Sequence, residues 1–223
     1  MMKLREYLNI NFPGLILKPS LYNQWDKGIH FELGKGMYQI KDDGKLNLKM
    51  FDRVYSQALS LFNSLFSEQD EIFLVTNVYQ RKAYKNRVNR LKVYNRYIND
   101  KDLKFHLKQE TLPYMFDDEE EADDYYTTQY FLKCSKRDLR YPMLIKAICN
   151  QDFPLKPKLV RENGSYYPDV FFINATKNLI FFIYDDRGCE VISTNRETIL
   201  PSYEKYNDWL DEYNREEIEQ LFK

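Results

Sequence analysis

Three short β-rich runs follow one another near the C-terminal end of the chain: DVFFI (169–173), LIFFIYD (179–185) and CEVIS (189–193), separated by NATKN and DDRG. Connections this short leave no room for a crossover, so the runs must pair antiparallel as a meander. The middle run is apolar on both faces, with Ile180, Phe182 and Tyr184 on one and Phe181 and Ile183 on the other. A strand of that kind belongs at the centre of a sheet covered on both sides, by helices on at least one. Gly188 is expected in the left-handed position of a type I turn with a bulge.

The rest of the chain supplies the covering layers. IHFEL (29–33) alternates and stops at Gly34, which reads as a strand. Phe51 to Phe66 repeats apolar residues every three or four positions, the period of an amphipathic helix. EIFLVTNVY (71–79) and TTQYFLK (127–133) read as strands. Val88, Leu91, Tyr94 and Ile98 make one stripe of a helix over about 88–98, and a second short helix is expected over 101–109, ended by Pro113. Pro142 sits near the start of the helix expected in MLIKAIC. An acidic helix is expected from about Pro201, with Tyr203, Tyr206, Leu210 and Tyr213 inward, and a shorter one from Asn214. Together these define an α+β fold: a mixed, mainly antiparallel sheet of about five or six strands flanked by helices. One domain over 1–223 is expected, with a boundary near 80–110 as the alternative.

Composition narrows the functional classes. A chain of 223 residues with 43% apolar and 30% charged residues has the make-up of a globular protein with a core of its own. Its longest apolar run is six residues, Leu179 to Tyr184, too short to span a bilayer. The N-terminus lacks the apolar stretch of a signal peptide. The cysteines, Cys134, Cys149 and Cys189, are odd in number and far apart, as expected of reduced thiols in a cytoplasmic protein. With two histidines, His30 and His106, a Cys/His zinc site is not expected, and no cofactor is implied. There is no GxSxG, Walker-type or GxGxxG motif.

Charge is segregated. Residues 81–108 hold ten Lys or Arg against two Asp, and residues 110–124 hold eight acids and no base. The blocks cancel, so a net charge of −1 hides local fields of both signs. The acid run, with Asp117, Asp118, Glu119, Glu120 and Glu121, would dock on a basic partner if it stands free. The basic block, with Arg87, Arg90 and Arg96 and the interleaved Tyr79, Tyr84, Tyr94 and Tyr97, would bind phosphates and stack bases. A pI of about 6.2 argues against a dedicated nucleic-acid binder.

Two other sets carry possible chemistry. In the meander, Asp169 begins one strand and Asp185 ends its neighbour, so both fall at one end of the sheet. Two carboxylates there would hold a divalent ion, beside Asp186 and with Arg187 clamping a phosphate. Against this, Asp185, Asp186, Arg187 and Gly188 also suit an ordinary turn. Arg140, in SKRDLR (135–140), would recognise an anion or pair internally. The two leading readings are a non-catalytic protein-binding module and a metal-assisted phosphoesterase or nuclease using Asp169 and Asp185. Under either reading the partner is not a membrane.

The blocks TLPYMFDD (111–118), LRYPMLIKAICNQDFPLKPK (139–158), YYPDVFFIN (166–174), FFIYDDRGCEVI (181–192) and YEKYNDWLDEY (203–213), with GIHFELG (28–34), resemble the bacterial family of unknown function numbered thirty-eight eighty-five. The resemblance implies no activity and no catalytic residues. Its occurrence mostly among Gram-positive bacteria implies an accessory protein of toxin-immunity type, by association.

Overall fold

A computed structural model describes residues 3–84, 92–116, 122–160 and 167–223. Seven strands form one antiparallel sheet: β1 (Gly28–Glu32), β2 (Glu71–Arg81), β3 (Lys108–Pro113), β4 (Tyr125–Ser135), β5 (Asp169–Asn174), β6 (Leu179–Ile183) and β7 (Gly188–Ser193). Their order is β1-β7-β6-β5-β2-β4-β3. β5, β6 and β7 are neighbours in this sheet, as their short turns require. Phe171 pairs with Phe182 across β5–β6, and Phe181 with Val191 across β6–β7. Every residue of β6 is buried.

The two faces of the sheet are covered differently. Helix α1 is Leu4–Asn11, α2 is Leu48–Leu65, α3 is Lys92–Tyr97, α4 is Tyr141–Cys149, α5 is Arg196–Lys205 and α6 is Arg215–Leu221. On one face α2 lays down Phe51, Val54, Ala58, Leu61, Phe62 and Leu65, and α4 adds Leu144, Ile145 and Ile148. These pack on Leu74, Phe172, Phe181 and Ile183. The opposite face is covered by α1 and the segment after it, through Leu4, Tyr7, Phe12, Leu17 and Leu21, against Phe73, Val75, Phe171, Ile180 and Phe182. Each large side chain buried this way contributes roughly 1.5–3 kcal/mol.

Several elements depart from the pattern read in the sequence. Instead of a helix over 101–109 there is a short 3-10 turn, Asp102–His106, followed by edge strand β3. The period misled because β3 packs only at the rim. An edge strand tolerates the exposed Lys108 and the terminal Pro113, since neither has to serve a second neighbour. Of the expected 88–98 helix, the described part is α3, with Val93, Tyr94 and Tyr97 buried and Ile98 buried just after it; Val88 and Leu91 lie outside the described residues. The acidic helix starts earlier than Pro201, at an Asn195 cap that accepts from the Glu197 N–H, and Tyr213 is 94% exposed rather than inward. The helix at Asn214 forms, but its side chain does not cap it. Asn214 Oδ1 instead lies 2.8 Å from His30 Nδ1, tying the C-terminal segment to β1.

Gly188 also differs from expectation. It does not have a positive φ; its role is space. A Cβ there would come within 2.0 Å of Tyr184 Oη and 2.6 Å of the Phe31 carbonyl oxygen. Gly34 is the glycine whose left-handed φ of +67° turns the chain out of β1, where its N–H donates to Gln57 Oε1 at 2.8 Å.

Candidate functional site: an aromatic pocket over Asp169

The end of the sheet where β2 leaves and β4 and β5 enter carries a cavity of about 270 Å³. It is lined by Pro19, Tyr79, Tyr114, Phe116, Tyr125, Tyr167 and Asp169. Strand alternation explains the wall. Tyr79 follows Phe73, Val75 and Asn77 on the face covered by α1, and Asp169, paired with Asn77 in register, precedes Phe171 and Ile173 on that same face. Tyr114 and Phe116 follow β3, Tyr125 opens β4, and Tyr167 lies just before β5. Their rings pack at angles: Tyr79 to Phe116 at 5.0 Å, Tyr114 to Phe116 at 5.3 Å, and Tyr114 to Tyr125 at 5.6 Å between centroids.

Asp169 is the acid of this pocket. Tyr79 Oη donates a short hydrogen bond to Asp169 Oδ2. Asp169 has no ion pair among the described residues. Removal from water raises its carboxyl pKa to about 7, against the small lowering from the Tyr79 bond. Burial and the Asp169 carboxylate likewise push the Tyr79 phenol upward. Beside the pair runs a polar layer: Asn77 Nδ2 donates to the Leu17 carbonyl at 2.5 Å, and Gln129 Nε2 to Asn77 Oδ1 at 3.0 Å. Thr127, opposite Tyr79 in register, is fully buried, and its hydroxyl has no hydrogen-bond partner among the described residues.

Asp169 and Asp185 are not brought together. Asp169 points to the α1 face. Asp185 joins Asp186 and Asp152 near Cys149 of α4, on the opposite face, where carboxylate oxygens of the three acids lie within 4.8 Å of one another. Asp185 is already satisfied: it accepts from the Arg187 N–H at 2.7 Å and from Nε at 2.9 Å, with Nη2 closing the fork. Asp186 accepts from Gln39 Nε2 at 2.9 Å, and burial raises its pKa. The Asp185–Arg187 fork is the ordinary turn that the sequence also allowed.

The remaining sequence candidates divide. Arg140 donates through Nε to Asn99 Oδ1 at 2.9 Å, and Arg96 through Nη1 to the Lys158 carbonyl at 3.1 Å; both brace loops. Tyr94 is a core residue. Its hydroxyl accepts from Thr76 and lies 3.1 and 2.9 Å from the Leu74 and Tyr130 carbonyls, so its ring is not presented to bases. Arg87, Arg90, Asp117, Asp118, Glu119, Glu120 and Glu121 lie outside the described residues. The charge blocks meet where β2 ends and β4 begins. Arg81 Nη2 pairs with Asp124 Oδ2 at 3.0 Å, and Lys82 Nζ donates to the Asp123 carbonyl at 2.6 Å. Cys134, Cys149 and Cys189 are buried and unpaired. Among the described residues no helix is long and apolar enough to cross a membrane.

A seven-stranded antiparallel sheet, covered on both faces and carrying an aromatic pocket at one end, defines a protein of the α+β class. The chain belongs to the family described as Domain of unknown function (DUF3885), whose model matches residues 4–214. It is 49% identical to the uncharacterized protein YnaE of Bacillus subtilis (strain 168) over 215 residues, which is 95% of this chain and 99% of that protein. No solved structure matches.

Proposed function

We propose that this chain is a non-catalytic protein-binding module of the accessory or toxin-immunity type, with the pocket over Asp169 as its anchor point. The observation that carries the reading is the concentration of five aromatic rings around one acid at a sheet end. Tyrosine, tryptophan and arginine dominate the residues that anchor interfaces, because a rigid ring gives large contact area at little entropic loss. A hydrolytic site needs more than this pocket offers. Among the described residues its walls hold one carboxyl, four phenols, a Phe and a Pro, and no histidine, cysteine or serine.

The test is selection of a displayed random-peptide library on immobilised protein, run in parallel on wild type and Tyr114→Ala. The reading expects a sequence motif enriched on wild type and lost on the variant. No enrichment, or a motif indifferent to Tyr114, overturns it.

A further inference from the structure

We infer that the pocket receives a cationic aliphatic nitrogen: the ammonium of a lysine side chain, bare or N-methylated, presented by a partner protein. This rests on the binding reading above and names the chemistry it recognises.

Four observations converge. The first is the wall. The faces of tyrosine and phenylalanine rings carry negative quadrupole charge and attract cations, and several faces around one space make the arrangement that holds ammonium groups. Tyr79, Tyr114, Phe116, Tyr125 and Tyr167 supply those rings. The second is an internal precedent: the Arg81 guanidinium already lies 5.8 Å over the Tyr125 ring. Asp124 pairs with that guanidinium at 3.0 Å, so its charge is compensated at the rim.

The third observation is the acid. Asp169 is held among the rings by a single phenol hydrogen bond, with no cation among the described residues to balance it. A carboxylate taken out of water without a counter-charge is costly, and a ligand ammonium supplies the missing charge. An anionic ligand would meet Asp169 head on, and a neutral apolar one would leave it uncompensated. The fourth is size. A cavity of about 270 Å³ falls just below the range of pockets for drug-sized molecules, which is roughly 300–1,000 Å³. It suits the end of one side chain rather than a nucleotide or a flavin.

The experiment titrates full-length protein with Nα-acetyl-lysine methylamide, its Nε-trimethyl form and the neutral norleucine analogue, followed by backbone amide shifts of residues 79, 114 and 169. The expected result is saturable binding of both cations, with the trimethyl form at least as tight as lysine. Each should bind about tenfold tighter than norleucine, the order of one charge-assisted contact to the Asp169 carboxylate. Asp169→Asn should abolish most of that preference. Tyr114→Leu, which keeps the acid, should remove the advantage of the trimethyl form. Equal binding of the neutral analogue overturns the inference, as does a preference that survives Asp169→Asn. A pocket-dependent displayed peptide without lysine sinks this inference and leaves the binding reading standing. Lysine analogues that bind where no displayed peptide does sink the binding reading instead.

Discussion

Replacing Asp169 by asparagine should make the protein more stable at neutral pH. The carboxyl pKa is raised on folding from 3.8 to about 7. The native chain therefore holds this proton more tightly than the unfolded chain, and between those two values it binds more protons. Stability consequently falls as pH climbs from about 4 to about 7 and is flat above. A difference of about 3.2 units at 1.36 kcal/mol per unit sets a ceiling of about 4 kcal/mol. Asp169 is partly exposed and lines a pocket that water can enter, so a loss of about 2–4 kcal/mol is expected. Asparagine keeps the shape and still accepts from Tyr79 Oη but does not ionise. Urea unfolding of both proteins at half-unit steps from pH 4 to pH 8 measures the difference directly. The curves should nearly coincide at pH 4 and separate by the stated amount at pH 8, with the variant on top. Glu190 and Asp186 are also raised by burial, but they are present in both proteins and cancel in the difference. Parallel curves across the whole range would refute the reasoning.

The other expectations concern how the site is held and what surrounds it. Tyr79→Phe removes the one hydrogen bond that favours the Asp169 carboxylate, so the Asp169 midpoint should move further up in a carboxyl-carbon NMR titration. Gly188→Ala drives a methyl into Tyr184 and the Phe31 carbonyl; chemical denaturation should show a loss of about 1–3 kcal/mol, the usual range for overpacking. Asn174→Ala deprives Asp70 Oδ2 and the Leu65 carbonyl of a buried donor and should cost roughly 1–3 kcal/mol in the same assay. Since Arg187 already engages Asp185, Mg²⁺ or Mn²⁺ should leave the melting temperature of the wild-type protein unchanged. A rise that disappears in Asp186→Asn would instead favour a metal-assisted phosphoesterase at Asp152, Asp185 and Asp186.

The framework was readable from the sequence because it rests on short-range rules. Two short turns fixed the meander, and the three-and-four spacing of Phe51 to Phe66 fixed α2. The edge strand β3 was not readable. Its six residues alternate only weakly between exposed and half-buried positions, and a rim strand needs no strong apolar signal. The charge blocks were visible, but their meeting at Arg81 and Asp124 depends on the 11-residue pairing of β2 with β4, which sequence spacing does not reveal. The pocket escaped for a similar reason. Tyr79, Tyr114, Tyr125 and Tyr167 stand up to 88 positions apart and converge only because each ends or begins a segment at the same sheet end. The surplus of 19 tyrosines was the one signal that pointed there. The pairing of Asp169 with Asp185 was not legible in the sequence: strand parity sends Asp169 to the α1 face, and the turn after β6 takes Asp185 to the other.

The most direct test is the carboxyl-carbon titration of Asp169, free and with saturating Nε-trimethyl-lysine analogue. Among the described residues, the titratable groups lining its pocket are Tyr79 of β2, Tyr114 after β3, Tyr125 of β4 and Tyr167 before β5, with the Arg81 guanidinium 5.8 Å over the Tyr125 ring. The account predicts a midpoint near 7 in the free protein and a clear fall when the cation is bound. A midpoint near the ordinary carboxylate value, or one that the cation leaves in place, would contradict it.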